Sequence, residues 1–248
     1  MRLLLLAVLA LVAAPIASAT GHKMRAIAFW STTVEPDHVA FAKLALDFYA
    51  KAATKRHFVF DSTLDWTNMN EKFLKHYDVV IWLNDFPQTP SERDAFARYM
   101  DHGGGWMGFH VAGYNDKDTK WPWFVQFMGG AVFYTNNWPV ESADLIVDDN
   151  THPVTRHLPK AYRAPANEWY LWRPSPRENP DVKVLVTLNP SNYPIGVKDQ
   201  ITSGDDPVVW TNTKYRKVYF NMGHGDKNFD SDLQNQMFLD AISWVGGR

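Results

Sequence analysis

Four side chains in this sequence have the right chemistry and the right setting to move protons or hold a metal. His110 ends the apolar run WMGFH, directly after three adjacent glycines, Gly103 to Gly105. His224 stands between Gly223 and Gly225, again just past an apolar run, in VYFNMGHG. Glu168 sits beside aromatic residues in ANEWYLW, and His38 lies at the mouth of the first strand-to-helix crossover. An imidazole titrates near neutrality, so it serves as acid, base or metal ligand with small changes of environment. A carboxylate among aromatics is either a satisfied buried group or a working one, able to orient a histidine or act as general base. Each residue also has a structural alternative. His110 could bond the glycine turn, and His38 could be a surface histidine at a helix start.

Other candidates are weaker. Asp85 ends the buried run DVVIWLND in a position comparable to that of His38. His152 and His157, in THPVTRHLP, have a spacing that matches no metal signature and are expected to lock a proline-rich loop. His22, His57, His76 and His102 have only surface or capping contexts. The chain has no cysteine, no GxSxG elbow, no HExxH and no phosphate loop. GGGWMG precedes a strand, whereas a dinucleotide fingerprint follows one, so no nicotinamide site is expected.

These residues need elements to hold them. MRAIAFW, HFVFDST, DVVIWLND and WMGFH read as buried strands, because near-continuous apolar runs suit burial on both faces. Between them lie helical stretches: VAFAKLALDFYAKAATK, MNEKFLKHY and TPSERDAFARYMDHG. In the last, Thr89 or Ser91 caps the start, Pro90 suits the first turn and Gly103 ends it. Such alternation predicts βαβ units and a parallel sheet, with ligands bound beyond the carboxyl ends of the strands. After Gly113 the texture changes. A short helix around Phe124 to Met128 and a half-buried strand ESADLIVDD precede a proline- and aromatic-rich stretch, 152–180, read as an irregular wall of the site. VKVLVTLN, a PVVW/RKVYFNM hairpin turning near Asn212 to Lys214, and a closing helix complete the chain.

Composition narrows the class. The formal charge of the 248 residues is −2, without a basic tail, which argues against nucleic acid as a partner. Residues 1–19 read as a signal peptide: Arg2, then LLLLAVLALVAAPI, then Ala17-Ser18-Ala19. The expected location is therefore exported, periplasmic or extracellular, with no membrane span after cleavage. The remaining chain, 20–248, is long enough for one large domain that needs no disulfide. Eleven tryptophans and ten tyrosines serve mostly as core. Those around 121–138 and 169–172, Trp169 among them, are candidates for stacking on saccharide rings.

The ordered set YDVVIWLND, YMDHGGGWMGFHVA, WPWFVQFMGGAVF, HPVTRHLP, NEWYLW and VYFNMGHG resembles the ThuA-like (trehalose utilisation) family across roughly residues 24–245. The resemblance implies a flavodoxin-like, class I glutamine amidotransferase-like α/β fold, with a C-terminal hairpin and helix. It maps the family's recurring polar set onto His38, His110, Glu168 and His224. Many relatives carry a further histidine after the strand that reads GGAVFYTNNWP here; this chain has Tyr134, Asn136 and Asn137 there, and Tyr134 and Asn136 become candidates for substrate contact. Without cysteine, the amidotransferase thioester has no nucleophile.

Three functions follow as expectations. The first is an exported enzyme acting on a saccharide or keto-sugar, with His110, His224 and Glu168 handling protons. The second is a carbohydrate-binding module without catalysis. The third is a metal-dependent hydrolase, in which the histidines and Glu168 bind a divalent ion such as zinc.

Overall fold

The computed structural model describes residues 22–116 and 119–247. The signal-peptide segment, 1–19, lies outside the described residues. Among the described residues no helix is long and apolar enough to cross a membrane.

Three βα units and a fourth strand open the chain. They comprise β1 (Arg25–Phe29), α1 (Pro36–Arg56), β2 (Val59–Thr63), α2 (Glu71–Leu74), β3 (Val79–Trp82), α3 (Pro90–Asp101) and β4 (Gly105–Phe109). The predicted helix over MNEKFLKHY is only four residues long, with the Asn70 side chain accepting from the Phe73 amide at its start. At α3 the cap is Thr89. Its hydroxyl accepts from the Glu92 amide, and the Glu92 carboxylate accepts from the Thr89 amide in return, which satisfies two of the orphan donors of the first turn.

Then come α4 (Pro122–Phe127), β5 (Val132–Asn136), β6 (Glu141–Val147), β7 (Ala161–Asn167), β8 (Tyr170–Arg173) and β9 (Val182–Leu188). The hairpin strands β10 (Pro207–Asn212) and β11 (Lys217–Phe220) and the helix α5 (Asp232–Val245) finish the fold. The stretch 152–180, expected to be irregular, holds two strands, β7 and β8. β7 pairs with the preceding strand β6 across a proline-containing link and β8 pairs with β5, and the run of prolines and aromatics conceals both.

Nine strands form one sheet in the order β2-β1-β3-β4-β11-β10-β9-β6-β7. The pairings from β2 through to β11 are parallel. From β11 onward each strand runs antiparallel to its neighbour, because β10 and β11 form a hairpin and the remaining strands extend that edge. β5 and β8 pair separately. The parallel part has the doubly wound order in which ligands bind beyond the carboxyl ends.

Alternation along the strands sends side chains to two different layers. Val79, Ile81, Met107 and Phe109 meet Phe41, Ala45 and Tyr49 of α1 and Phe238 and Ile242 of α5. Val80, Trp82 and Trp106 meet Phe96 of α3 and Phe124 and Phe127 of α4, in a layer dominated by aromatic rings. Five tryptophans, Trp82, Trp106, Trp169, Trp172 and Trp210, are fully buried in these two layers. Both faces of the parallel sheet are therefore closed, and its carboxyl edge is where polar side chains can gather.

Candidate functional site

β4 and β11 are parallel neighbours, and Phe109 pairs with Phe220. Whatever follows these two residues must emerge side by side. His110 follows at once, and His224 lies four residues past Phe220. His38 arrives from the first turn of α1, which begins shortly after β1 ends. The ring centroid of His38 lies 5.0 Å from those of both His110 and His224, and His110 and His224 are 5.5 Å apart. All three rings are buried.

Glu168 completes the group from the link between β7 and β8. Its Oε2 lies 3.1 Å from His110 Nε2 and 3.1 Å from His224 Nδ1. The His110 contact has the alignment of a hydrogen bond and needs a proton on one of the two atoms to be one. The His224 contact is close but poorly aligned, and both ring nitrogens of His224 are buried without a directed partner. Asn136 donates to the other oxygen of Glu168 at 2.6 Å. Outside the group, Asp37 and Glu35 face His224 Nε2 at 3.3 and 3.9 Å.

His110 is held with unusual force. Its φ of 47° is left-handed, a region that non-glycine residues enter only when their surroundings impose it. Tyr219 Oη donates to its carbonyl at 3.0 Å. Tyr170 packs on its ring at 3.9 Å between centroids. His110 Nδ1 lies 2.9 Å from the Asn221 carbonyl, which can only accept, so Nδ1 carries the proton. In the neutral ring Nε2 then presents a lone pair to Glu168.

Four asparagines lock the loops together. Asn167 Oδ1 accepts from the Gly223 and His224 amides, both at 3.1 Å, while its Nδ2 donates to the Asn221 carbonyl. Asn221 pairs reciprocally with the Tyr170 backbone, at 3.0 and 2.7 Å. Asn137 Oδ1 accepts from the Trp169 amide. Asn84 binds the Ser31 backbone and the His38 carbonyl. Sequence reading missed Asn84, Asn167 and Asn221. For Asn84 and Asn221 the available signal was an amide side chain just after a buried apolar strand, where loop backbone needs partners; Asn167 ends the half-exposed β7, which carries no such signal.

The other expected residues fall in different places. Asp85 accepts from the Phe86 amide and from Gln88, so its carboxylate shapes its own turn. Burial pushes its pKa up. Tyr134 is 65% exposed on β5, with the Arg173 guanidinium 5.7 Å from its ring centroid. Trp169 is a correction. Its indole is fully buried and donates to the Glu141 carbonyl, leaving no face on which a sugar could stack. Tyr170 and Trp172 are buried likewise. Trp138, 38% exposed and 6.1 Å from the His224 ring, is the aromatic that borders the cluster from the solvent side. His152 packs on Trp244 and His157 pairs with Asp240 at 2.7 Å, both away from the group.

Charge within the cluster is uneven. Burial, followed by repulsion from His110 and His224, lowers the His38 pKa to about 3. Burial also lowers that of His110, against the opposing pull of Glu168. At His224 burial acts downward, but Glu168, with Glu35 and Asp37 behind it, outweighs it and the net direction is upward. Burial would raise the Glu168 pKa; hydrogen bonds and charge from His110 and His224 reverse this and bring it to about 2. At neutral pH the group therefore holds a carboxylate, a protonatable His224 and two histidines driven toward neutrality.

Comparison with known proteins agrees with the architecture. A ThuA-like protein from Bacteroides uniformis has a TM-score of 0.88 and 48% sequence identity, over 94% of this chain and 95% of that one. A ThuA-like protein from Parabacteroides merdae matches with a TM-score of 0.66 at 16% identity, over 92% and 91% of the two chains. The glutaminase domain of Trypanosoma brucei CTPS matches with a TM-score of 0.56 at 9% identity, over 90% and 94%. At such low identity this last likeness shows the fold, and the fold is the expected α/β, class I glutamine amidotransferase-like one. No functionally curated protein matches the sequence. The ThuA family profile, described as trehalose utilisation, matches residues 25–245, and the chain belongs to the ThuA family.

Proposed function

We propose that this protein is an enzyme that acts on a carbohydrate, a keto-sugar derivative in particular, by acid–base chemistry at the His110–Glu168–His224 group. The observation that carries this reading is the position of Glu168 Oε2, 3.1 Å from both imidazoles. His110 is fully buried, whereas the Glu168 side chain keeps 13% exposure. Glu168 is therefore the group that meets substrate as base. His110, whose Nε2 faces Glu168 Oε2, accepts the proton that Glu168 collects. His224 is the protonated member of the group, since its environment favours the charged ring. Enolisation, elimination and hydrolysis next to a sugar carbonyl all need this pairing of base and acid.

Family membership supports a carbohydrate-related substrate. So does Trp138, an indole exposed beside His224, because flat rings stack on saccharides. A groove of about 750 Å³ lined by Tyr134, Thr135, Leu171, Arg173 and Gln200 shares β5 with Asn136 and offers hydroxyl-binding groups. A binding module without catalysis would need the stacking face and the groove but not three buried histidines around one carboxylate. Export, read from Arg2 to Ala19, belongs to the same proposal and is tested by N-terminal sequencing of the protein recovered outside the cytoplasm.

The test is turnover of a panel of glycosides and keto-glycosides by the wild type and by Glu168→Gln, His110→Ala and His224→Ala. Loss of turnover in folded variants is the expected result. Unchanged turnover in all three would sink the assignment.

A further inference from the structure

We propose that His38, His110, Glu168 and His224 bind one divalent first-row transition-metal ion. This deepens the reading of the same site, and its catalytic consequence rests on that reading. One ligand atom from each of the four residues lies within 4.8 Å of all the others. Ligands 2.0–2.1 Å from a tetrahedral ion stand roughly 3.4 Å apart. The 3.1 Å separations from Glu168 Oε2 to His110 Nε2 and His224 Nδ1 are of that size.

Proton bookkeeping points the same way. His110 spends its Nδ1 proton on the Asn221 carbonyl. The neutral ring then turns a lone pair toward the carboxylate oxygen, and two acceptors 3.1 Å apart need a cation between them. A proton can serve that one pair. It cannot also serve His38 Nε2 and His224 Nδ1, which are buried without directed hydrogen bonds. Buried polar atoms in native proteins are rarely left so, and an unplaced ion is one of the ordinary reasons. Three imidazoles packed about one carboxylate cannot all be protonated, because each then repels the other two. A metal ion takes several lone pairs at once, where a proton takes two.

The surroundings resemble those of a ligand shell. Metal-bound histidines donate their other nitrogen to carbonyls or carboxylates, and bound carboxylates are hydrogen-bonded in turn. Here His110 has the Asn221 carbonyl, Glu168 has Asn136, and His224 has Asp37 and Glu35. Three nitrogens, one oxygen and no thiolate suit zinc, manganese, cobalt, iron or nickel, and disfavour calcium and magnesium, which take oxygen. Neutral histidines and one carboxylate leave a divalent ion with net charge +1. That charge would attract a substrate oxygen, and with His110, His224 and Glu168 committed as ligands the ion, in place of their proton transfer, would polarise the sugar carbonyl or hydroxyl.

The experiment uses the full chain, purified without a histidine tag. Metal content is measured after purification and again after chelation. The chelated protein is then titrated calorimetrically with zinc, manganese and cobalt, and the cobalt complex is examined by absorption spectroscopy. About one ion per chain is expected. Affinity should fall at least 10-fold in His38→Ala, Glu168→Gln and His224→Ala, and stay unchanged in His157→Ala. Circular dichroism checks that each variant is folded, and the cobalt d–d bands report the ligand set independently of affinity. No binding of any of the three ions, or binding that survives all three cluster substitutions, would overturn the proposal. Binding without turnover would uphold the metal site and remove the catalytic reading. Turnover by metal-free protein would uphold the acid–base reading and remove the ion's part in it.

Discussion

Gly223 presses against His110: a Cβ built at position 223 would lie 2.5 Å from the Cβ of His110. Gly223 also has a φ of 152°, which side-chain-bearing residues rarely adopt. The loop carrying His224 can close over His110 only because position 223 has no side chain. Gly223→Ala is therefore expected to cost about 1–3 kcal/mol in overpacking and strain. It should also separate the two imidazoles. Thermal unfolding together with turnover checks this, and an alanine variant with wild-type melting temperature and wild-type rate would refute the contact's importance.

Asn167 makes the next prediction. It accepts from the Gly223 and His224 amides, and both would lose their partner in Asn167→Ala. Leaving a buried donor unsatisfied costs about 1–3 kcal/mol. The variant should show a lower urea midpoint with a nearly unchanged slope. Asn167→Asp keeps an acceptor and should lose less. Equal losses in both variants would count against the accepting role assigned to Oδ1.

Lys217 tests the core. It is fully buried on β11, its Nζ has no hydrogen-bond partner among the described residues, and the ring centroids of Phe127 and Trp210 stand 5.3 and 5.6 Å from it. Burial lowers its pKa to about 7 from an ordinary value of 10.5. Between those two values the unfolded chain binds more protons than the folded one, so stability rises with pH from about 7 to about 10.5. Below 7 the cost of burying the ammonium is felt in full. The rise amounts to a few kcal/mol, since each tenfold change in proton affinity is worth about 1.4 kcal/mol. Lys217→Met should be more stable than the wild type at pH 7 and should lose this rise. Denaturant unfolding at pH 7 and pH 10 decides; parallel pH dependences in the two proteins would reject the explanation.

Trp138 separates binding from chemistry. If its exposed indole stacks on the substrate, Trp138→Ala removes an interaction present before and during reaction. KM should then rise about 3- to 10-fold, the equivalent of a stacking energy near 1 kcal/mol, while kcat stays within about twofold. Steady-state kinetics on the best substrate of the panel provides the check. A fall in kcat at constant KM would place Trp138 in the chemistry instead.

Much of the parallel half was legible, because its information is local. Apolar runs such as VVIW declare burial on both faces, helices between them force parallel crossovers, and glycines at 103–105 and 223–225 mark the turns that release His110 and His224. The antiparallel half was harder. β7 and β8 lie in a proline-rich stretch, and Trp169 looks like a ligand platform until its indole is seen in the core.

By itself, then, the chain determined the parallel βα frame and the histidines at strand ends, since period and turn chemistry act over a few residues. The tertiary structure decided that Glu168 reaches His110 across 58 positions of sequence, that Asn167 and Asn221 clamp the loops around it, and that Trp138 rather than Trp169 faces solvent. Those outcomes depend on which strand ends become neighbours in the nine-stranded sheet. That pairing is set by the packing of the whole core, and no local stretch of residues encodes it.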